Sequence, residues 1–226
     1  MRLIIIGAGP GGYETAAEAA AKGIETILIS DGPLGGTCLN EGCIPTKTMC
    51  AMSAPDQERK EAVISQLQAG IAQLLKASGV TVVQGRATFA GAHSIKVGED
   101  IYEADAVIIA TGSVSASLPI PGAELTVDST AMLGLKEVPQ RLCVIGGGVI
   151  GLEFASVYAR FGSEVTVLEF CPGVLPRFDV DLAKRLKASL SRRGIKIETS
   201  ARVTSVEEVD GATWQGVVGR ESQADA

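Results

Sequence analysis

Two stretches of this chain repeat one plan at a constant offset of 139 residues. The first, LIIIGAGPGGYETAAEAAAKGIETILIS, starts at Leu3; the second, LCVIGGGVIGLEFASVYARFGSEVTVLEF, starts at Leu142. Without a gap, Gly7 aligns with Gly146, Gly9 with Gly148, Gly12 with Gly151, Glu14 with Glu153, and Gly23 with Gly162. Each copy reads as a short apolar strand, G-x-G-x-x-G, a helix, a glycine and a second apolar strand. Dinucleotide binding asks for this order. The first glycine makes the tight turn, the second lets a pyrophosphate approach the backbone, and the third lets helix pack on strand. The helix N-terminus then offers free N–H groups and the positive dipole end to the phosphates. Gly146, Gly147, Gly148, Val149, Ile150 and Gly151 form the second such loop. The expected fold is α/β, with two Rossmann-like units, the second incomplete, and small antiparallel insertions.

An acidic residue at the end of the second strand normally meets the ribose. In the second copy it is Glu169, 23 positions after Gly146, and no arginine follows until Arg177, which favours NAD over NADP. In the first copy the equivalent is Ser30, with Asp31 next. Either Asp31 reaches the ribose from a shifted position or Ser30 makes a weaker hydrogen bond.

Between the repeats, residues 57–79 have helical spacing and end at glycine. Residues 80–105 read as short strands of a small antiparallel sheet, and ADAVIIATGS (104–113) as a buried strand with a glycine turn. SLPIPG (117–122) reads as an extended linker because its prolines discourage helix. The domain boundary is expected near residue 113, giving units 1–113 and 114–226. Residues 180–194 read as an amphipathic helix leading into the strand IKIET, and the tail as strands that stop short.

Bulk properties narrow the partners. Twenty-seven glycines and 4% aromatics suit α/β packing, and the net charge of −6 argues against nucleic acid or an anionic membrane. No run approaches the length of a membrane span and MRLIII is too short for a signal-peptide core, so the chain is expected to be cytoplasmic. Cysteines there stay mostly as thiols, and a disulfide is more often catalytic than structural.

Against that background GGTCLNEGCIPTK (35–47) stands out. In a regular helix residues five apart rise about 7.5 Å and point in different directions, so either Cys38 and Cys43 never meet or the chain bends. Gly35, Gly36 and Gly42 permit a bend. Pro45 suits the first turn of a helix, which would put Cys43 near a helix N-terminus, where a thiolate is stabilised. A bent C-x₄-C could be a redox disulfide facing a flavin; two ordinary buried cysteines are the alternative. A zinc site lacks ligands nearby, and the next cysteine, Cys50, is too far for plant-type iron–sulfur spacing. Cys50, Cys143 and Cys171 read as core or incidental residues, and His93, the one histidine, as a solvated loop residue.

GGTCLNEGCIPTK, the paired glycine loops and ATGS together resemble the flavin-dependent pyridine-nucleotide–disulfide oxidoreductases, and CLNEGCIPTK, Glu169 and LPRFD resemble the dihydrolipoamide-oxidising branch of that family. The resemblance implies FAD and NAD as cofactors. It makes Cys38 the interchange thiol attacked by dihydrolipoamide, and Cys43 the flavin-facing thiolate that forms a charge-transfer complex. It sets Lys47 near the flavin, paired with Glu153. Gly7, Gly9, Gly12, Ser30, Asp31, Gly36, Thr37, Ala87, Thr111 and Gly112 would contact FAD. Gly146 to Gly151, Glu169 and Val203 would line the NAD site.

The implied partners are a lipoyl-bearing acyltransferase or a small disulfide, with homodimerisation of the full-length type. That type continues into a dimerisation domain carrying a His and a Glu, which this sequence lacks, so the chain alone is expected to be inactive in thiol-to-NAD turnover. The alternatives are a non-catalytic dinucleotide-binding fragment or a related reductase with another substrate.

Overall fold

The computed structural model describes residues 1–209 and 213–219. It divides into two compact units, Met1–Thr48 with Gln57–Val114, and Met49–Asp56 with Ser115–Ala226.

The first unit is built on a parallel sheet of order β3-β2-β1-β7, formed by β1 (Arg2–Ile6), β2 (Glu25–Ser30), β3 (Thr81–Gln84) and β7 (Ala106–Ile109). Helix α1 (Pro10–Ala21) joins β1 to β2. Between β2 and β3 run α2 (Gly36–Asn40), α3 (Cys43–Cys50) and α4 (Gln57–Ala77). Both faces of the central strands β1 and β2 are covered, which is why those two are continuously apolar rather than alternating. Leu3, Ile5 and Leu28 pack with Ala16 and Ala19 of α1 and Leu75 of α4. Ile4, Ile27 and Ile29 pack on the other face with Ile95 and Val97. Those two belong to an antiparallel sheet of β4 (Ala87–Gly91), β5 (Ser94–Val97) and β6 (Asp100–Glu103).

Two expectations are corrected here. Thr81–Gln84 does not join the antiparallel sheet; it pairs parallel with β2, Ile27 opposite Thr81 through Ser30 opposite Gln84. The long helix α4 is a crossover, and a crossover delivers its next strand parallel. The strand at Ala106–Ile109 forms, parallel to β1, but it is not buried: Ile109 is 65% exposed. Among the described residues β7 is an edge strand.

The second unit repeats the plan. A parallel sheet of order β10-β9-β8 contains β8 (Arg141–Ile145), β9 (Glu164–Leu168) and β10 (Lys196–Glu198). It is preceded by α5 (Ser129–Leu133), with α6 (Val149–Phe161) and α7 (Val180–Arg192) as connections. The core gathers Phe154, Tyr158, Val165, Val167, Leu190 and Ile195, and the buried Tyr158 hydroxyl donates to the Met132 carbonyl at 2.8 Å. A hairpin of β11 (Arg202–Val209) and β12 (Thr213–Gly219) follows. The PIPG turn packs against it: Val206 donates its N–H to the Pro121 carbonyl at 2.9 Å, and no Cβ could stand at Gly122 beside the Val206 carbonyl. Residues 210–212 and 220–226 of the expected tail strands lie outside the described residues.

The repeat is physical, bond for bond. Gly7 N–H donates to the Ile29 carbonyl at 2.7 Å, and Gly146 N–H to Leu168 at 2.8 Å. Gly23 and Gly162 end the two helices with φ of +80° and +106°, a left-handed stop that glycine adopts without strain. The N–H groups after them close onto Ala19 and Tyr158 at 3.1 and 3.0 Å.

Candidate functional site

In the first loop Gly7 has φ +107°, and a Cβ there would run into the Ala110 carbonyl, with Thr111 beside it. A Cβ on Gly12 would fall on the Gly7 carbonyl, so the third glycine is what lets α1 sit against the strand end. Gly9 caps α1 without a side-chain acceptor for the helix N–H groups, and a Cβ there would meet only the Gly36 Cα at 3.9 Å. The first-turn donors and the open space at Gly9 fit the pyrophosphate of a dinucleotide. Buried Ser30 turns back on itself, its hydroxyl donating to the Gly32 carbonyl at 3.1 Å. Asp31 faces solvent with Arg86 at 3.7 Å, while Gly85 donates to the Ser30 carbonyl at 2.8 Å. Ala87 starts β4 two residues on, and exposed Gly112 (φ +74°) follows Thr111 past β7.

The cysteine segment is seated directly on this loop. Gly35 and Gly36 both have positive φ, +94° and +58°, and Gly35 donates to the Ala8 carbonyl at 2.9 Å. A Cβ on Gly36 would lie 2.5 Å from the Gly9 Cα. Two left-handed residues are therefore what bring α2, with Thr37 and Cys38, against the dinucleotide loop. The chain then bends: Glu41 donates to the Thr37 carbonyl at 2.9 Å, and α3 begins at Cys43. Cys38 is half-buried and Cys43 exposed, both as thiols.

The bend brings Cys38 and Cys43 near each other. The Cys38 thiol is held above its ordinary range chiefly by a hydrogen bond to Cys43, then by burial, while Lys47 acts the other way. Tyr13 is the other neighbour; its phenol is pushed up by burial, by its hydrogen bond to Glu14 and by Cys38. Removing the partner should release Cys38. In Cys43→Ala the alkylation of Cys38 by iodoacetamide is expected to rise at lower pH than in the parent, followed by the mass of the Cys38 peptide. An unmoved profile would mean that burial, and not Cys43, holds the proton.

In the second unit a Cβ on Gly151 would strike the Gly146 carbonyl, whereas one on Gly148 meets nothing within 4 Å. Gly148 caps α6, again with no side-chain acceptor, and Val149 and Ile150 are exposed at its start. Glu153 lies half-buried one turn into α6. The carboxylate of Glu169 is only 7% exposed and already organised. It accepts from Gly147 N–H at 2.6 Å and Cys171 N–H at 2.7 Å, and the Cys171 thiol donates to it, which pushes that thiol up. Ala201 donates to the Glu169 carbonyl at 2.9 Å, setting half-buried Val203 two residues along β11. Arg202 lies with its guanidinium 5.9 Å over the exposed ring of Phe170. Lys47 and Glu153 belong to different units.

A family model described as pyridine nucleotide-disulphide oxidoreductase matches residues 1–226. The chain belongs to that family. Members of the pyridine nucleotide-disulphide oxidoreductases bind FAD and a nicotinamide dinucleotide, matching the two glycine loops. The chain is 38% identical over 247 positions to the dihydrolipoyl dehydrogenase of Bacillus subtilis, covering 95% of this chain and 54% of that one. The dihydrolipoyl dehydrogenase of Acholeplasma laidlawii is 37% identical, with 91% and 70% covered. Among solved structures, the HOCl-induced flavoprotein disulfide reductase RclA of Escherichia coli matches with a TM-score of 0.86 at 35% identity, over 98% of this chain and 53% of that one. The chain thus spans about half the length of most of these relatives.

Several residues of the site carry no signal in the sequence. Cys50 and Cys143 are exposed and Cys171 is half-buried, so none is a core residue, and Cys171 serves Glu169. Arg202 escapes a search along the strand after Glu169 because β11 delivers it from 33 residues away. Tyr13 gives no cue beyond following Gly12. No helix of the described residues is long and apolar enough to cross a membrane, and His93 is exposed in the turn between β4 and β5.

Proposed function

We propose that this chain is the nucleotide-binding and redox-disulfide portion of an oxidoreductase that takes electrons from dihydrolipoamide through Cys38 and Cys43 to FAD and then NAD⁺. The observation that carries the reading is a nearby pair of thiols on a segment whose Gly35 and Gly36 pack against a dinucleotide loop. The first unit, to about residue 113, takes FAD and the second takes NAD. Gly7, Gly9, Gly12, Gly36, Thr37 and the backbone near Ala87, Thr111 and Gly112 hold FAD; Gly146 to Gly151, Glu169 and Val203 hold NAD. When bound, FAD supplies the two-electron acceptor between dithiol and nicotinamide.

Cys38 exchanges with the substrate: a thiolate of dihydrolipoamide attacks its sulfur, and the Cys38–Cys43 bond breaks with Cys43 leaving as thiolate. The second substrate thiol then displaces Cys38 as the substrate disulfide closes. Cys43 is its internal partner and takes the charge as the disulfide is cut, while the Lys47 ammonium favours thiolate at Cys38 when the substrate disulfide departs. The chain's natural partner is a lipoyl-bearing acyltransferase or a small disulfide, its setting cytoplasmic, and its complete form a homodimer.

The test is reconstitution with FAD, then dihydrolipoamide with NAD⁺, following flavin absorbance and NADH. Bleaching of bound flavin by dihydrolipoamide is expected in the parent. In Cys38→Ser flavin should stay bound but bleaching should be lost, and bleaching at the parental rate would sink the assignment. A second reading keeps the thiols and changes the substrate. The likeness to RclA, itself solved as a Cu(II) complex, is nearly as strong as that to dihydrolipoyl dehydrogenases. Bleaching by NADH followed by reoxidation with Cu(II), but none with dihydrolipoamide, would favour it.

A further inference from the structure

Between the two cysteines stands Asn40, and its side chain uses three of the four hydrogen bonds an amide can make. Its Nδ2 donates to the Leu34 carbonyl at 3.1 Å and the Gly36 carbonyl at 2.8 Å, the two residues that lead into the Cys38 turn. Its Oδ1 accepts from Gln68 Nε2 at 2.6 Å. Gln68 sits near the middle of α4, 28 residues away, on the helix that carries Leu75 into the core under β2. One side chain therefore ties both ends of α2 to each other and fastens the turn to the rigid part of the fold. Cys38 is in the middle of that turn. Its approach to Cys43 is set by where α2 stands relative to the start of α3.

We infer that Asn40 and Gln68 are positioning residues that set the reduction potential of the Cys38–Cys43 pair by holding the turn that carries Cys38 near Cys43. The inference deepens the reading above and rests on it. Closing the disulfide forms one S–S bond as two thiols give up two electrons and two protons. Oxidised dithiothreitol, as acceptor, becomes the dithiol. The equilibrium depends on how much of the encounter is already arranged in the reduced protein, that is, on the effective concentration of one thiol at the other. A held turn favours the disulfide. A loosened turn must be ordered as the bond closes, and the pair becomes easier to reduce.

The experiment equilibrates the purified chain, Asn40→Ala and Gln68→Ala in mixtures of oxidised and reduced dithiothreitol. Acid quenching, alkylation and mass measurement of the peptide bearing both cysteines then give the disulfide fraction. Asn40→Ala is expected to need about ten times more oxidant for half-formation, a rise of about 30 mV for this two-electron couple. Gln68→Ala, which leaves the two carbonyl contacts in place, should shift the same way by a smaller factor. Thermal unfolding of the reduced proteins shows whether each variant is folded, and Gln68→Ala keeps the test open if Asn40→Ala does not fold. Midpoints within twofold of the parent in a folded variant overturn the inference and leave the proposed function standing. A parent chain that forms no Cys38–Cys43 disulfide at any ratio overturns both.

Discussion

Gly12→Ala is expected to destabilise the first unit by about 3–4 kcal/mol, whereas its neighbour Gly11→Ala is expected to be neutral or to stabilise slightly. The two glycines are consecutive in α1 and differ only in what surrounds them. A Cβ on Gly11 meets nothing within 4 Å, and alanine is the better helix former by about 1 kcal/mol. A Cβ on Gly12 would occupy the Gly7 carbonyl oxygen, which belongs to a backbone held at both ends. Gly7 donates to Ile29, and a Cβ on it would run into the Ala110 carbonyl. No rotamer relieves that overlap, so α1 must lift from the strand and give up packing at Ala16 and Ala19. Overpacking usually costs about 1–3 kcal/mol, and a collision with backbone belongs at the upper end or beyond. Urea unfolding of the two variants checks this, and a Gly12→Ala midpoint equal to that of Gly11→Ala would mean the loop is far softer than its geometry implies.

That contrast also shows what can be read in a sequence. The glycine spacing is legible because it encodes a prohibition: only an absent Cβ allows helix, strand and turn to meet, and the same spacing appears twice. The two helices and their glycine stops are legible for the same local reason. The pairing of Thr81–Gln84 is not, because four residues of mixed burial look alike in either sheet; the crossover through α4 decides. The exposure of Ile109 is a property of its neighbours and not of its own run of letters.

Within the site, the order GGTC announces a bend but not its purpose, which is to press Gly36 onto Gly9. The partner of Asn40 lies on α4, and nothing local points to Gln68. Arg202 and Cys171 are invisible in the same way: both act on the Glu169 region through folds of the chain that periodicity does not record.

Glu169→Gln is expected to have two effects of separate origin. The first is structural. The parent carboxylate offers one oxygen to Gly147 N–H and the other to Cys171 N–H, both at hydrogen-bond distances typical of a charged acceptor. Glutamine keeps the volume but turns one of those oxygens into an NH₂ group, so one backbone donor is left facing another donor in a buried place. Losing a bond to a charged acceptor there should cost about 2–3 kcal/mol. The second effect is on cofactor choice. A buried negative charge at the end of β9 repels a 2′-phosphate and can accept from a 2′-hydroxyl. Neutralising it removes the repulsion, while Arg202, stacked over Phe170 beside it, remains as a cation near the same edge. A charge pair a few ångströms apart near a surface is worth a few kcal/mol before screening. If the chain binds NAD as proposed, the ratio of NADH to NADPH affinity should therefore fall by roughly tenfold or more. Fluorescence titrations with both nucleotides separate the two effects. Equal weakening of both would mean that Glu169 acts only through the loop it braces. A selective gain for NADPH would identify its charge as the discriminator, with Arg202 as the group that makes the alternative acceptable. Adding Arg202→Ala to the variant should then abolish the gain.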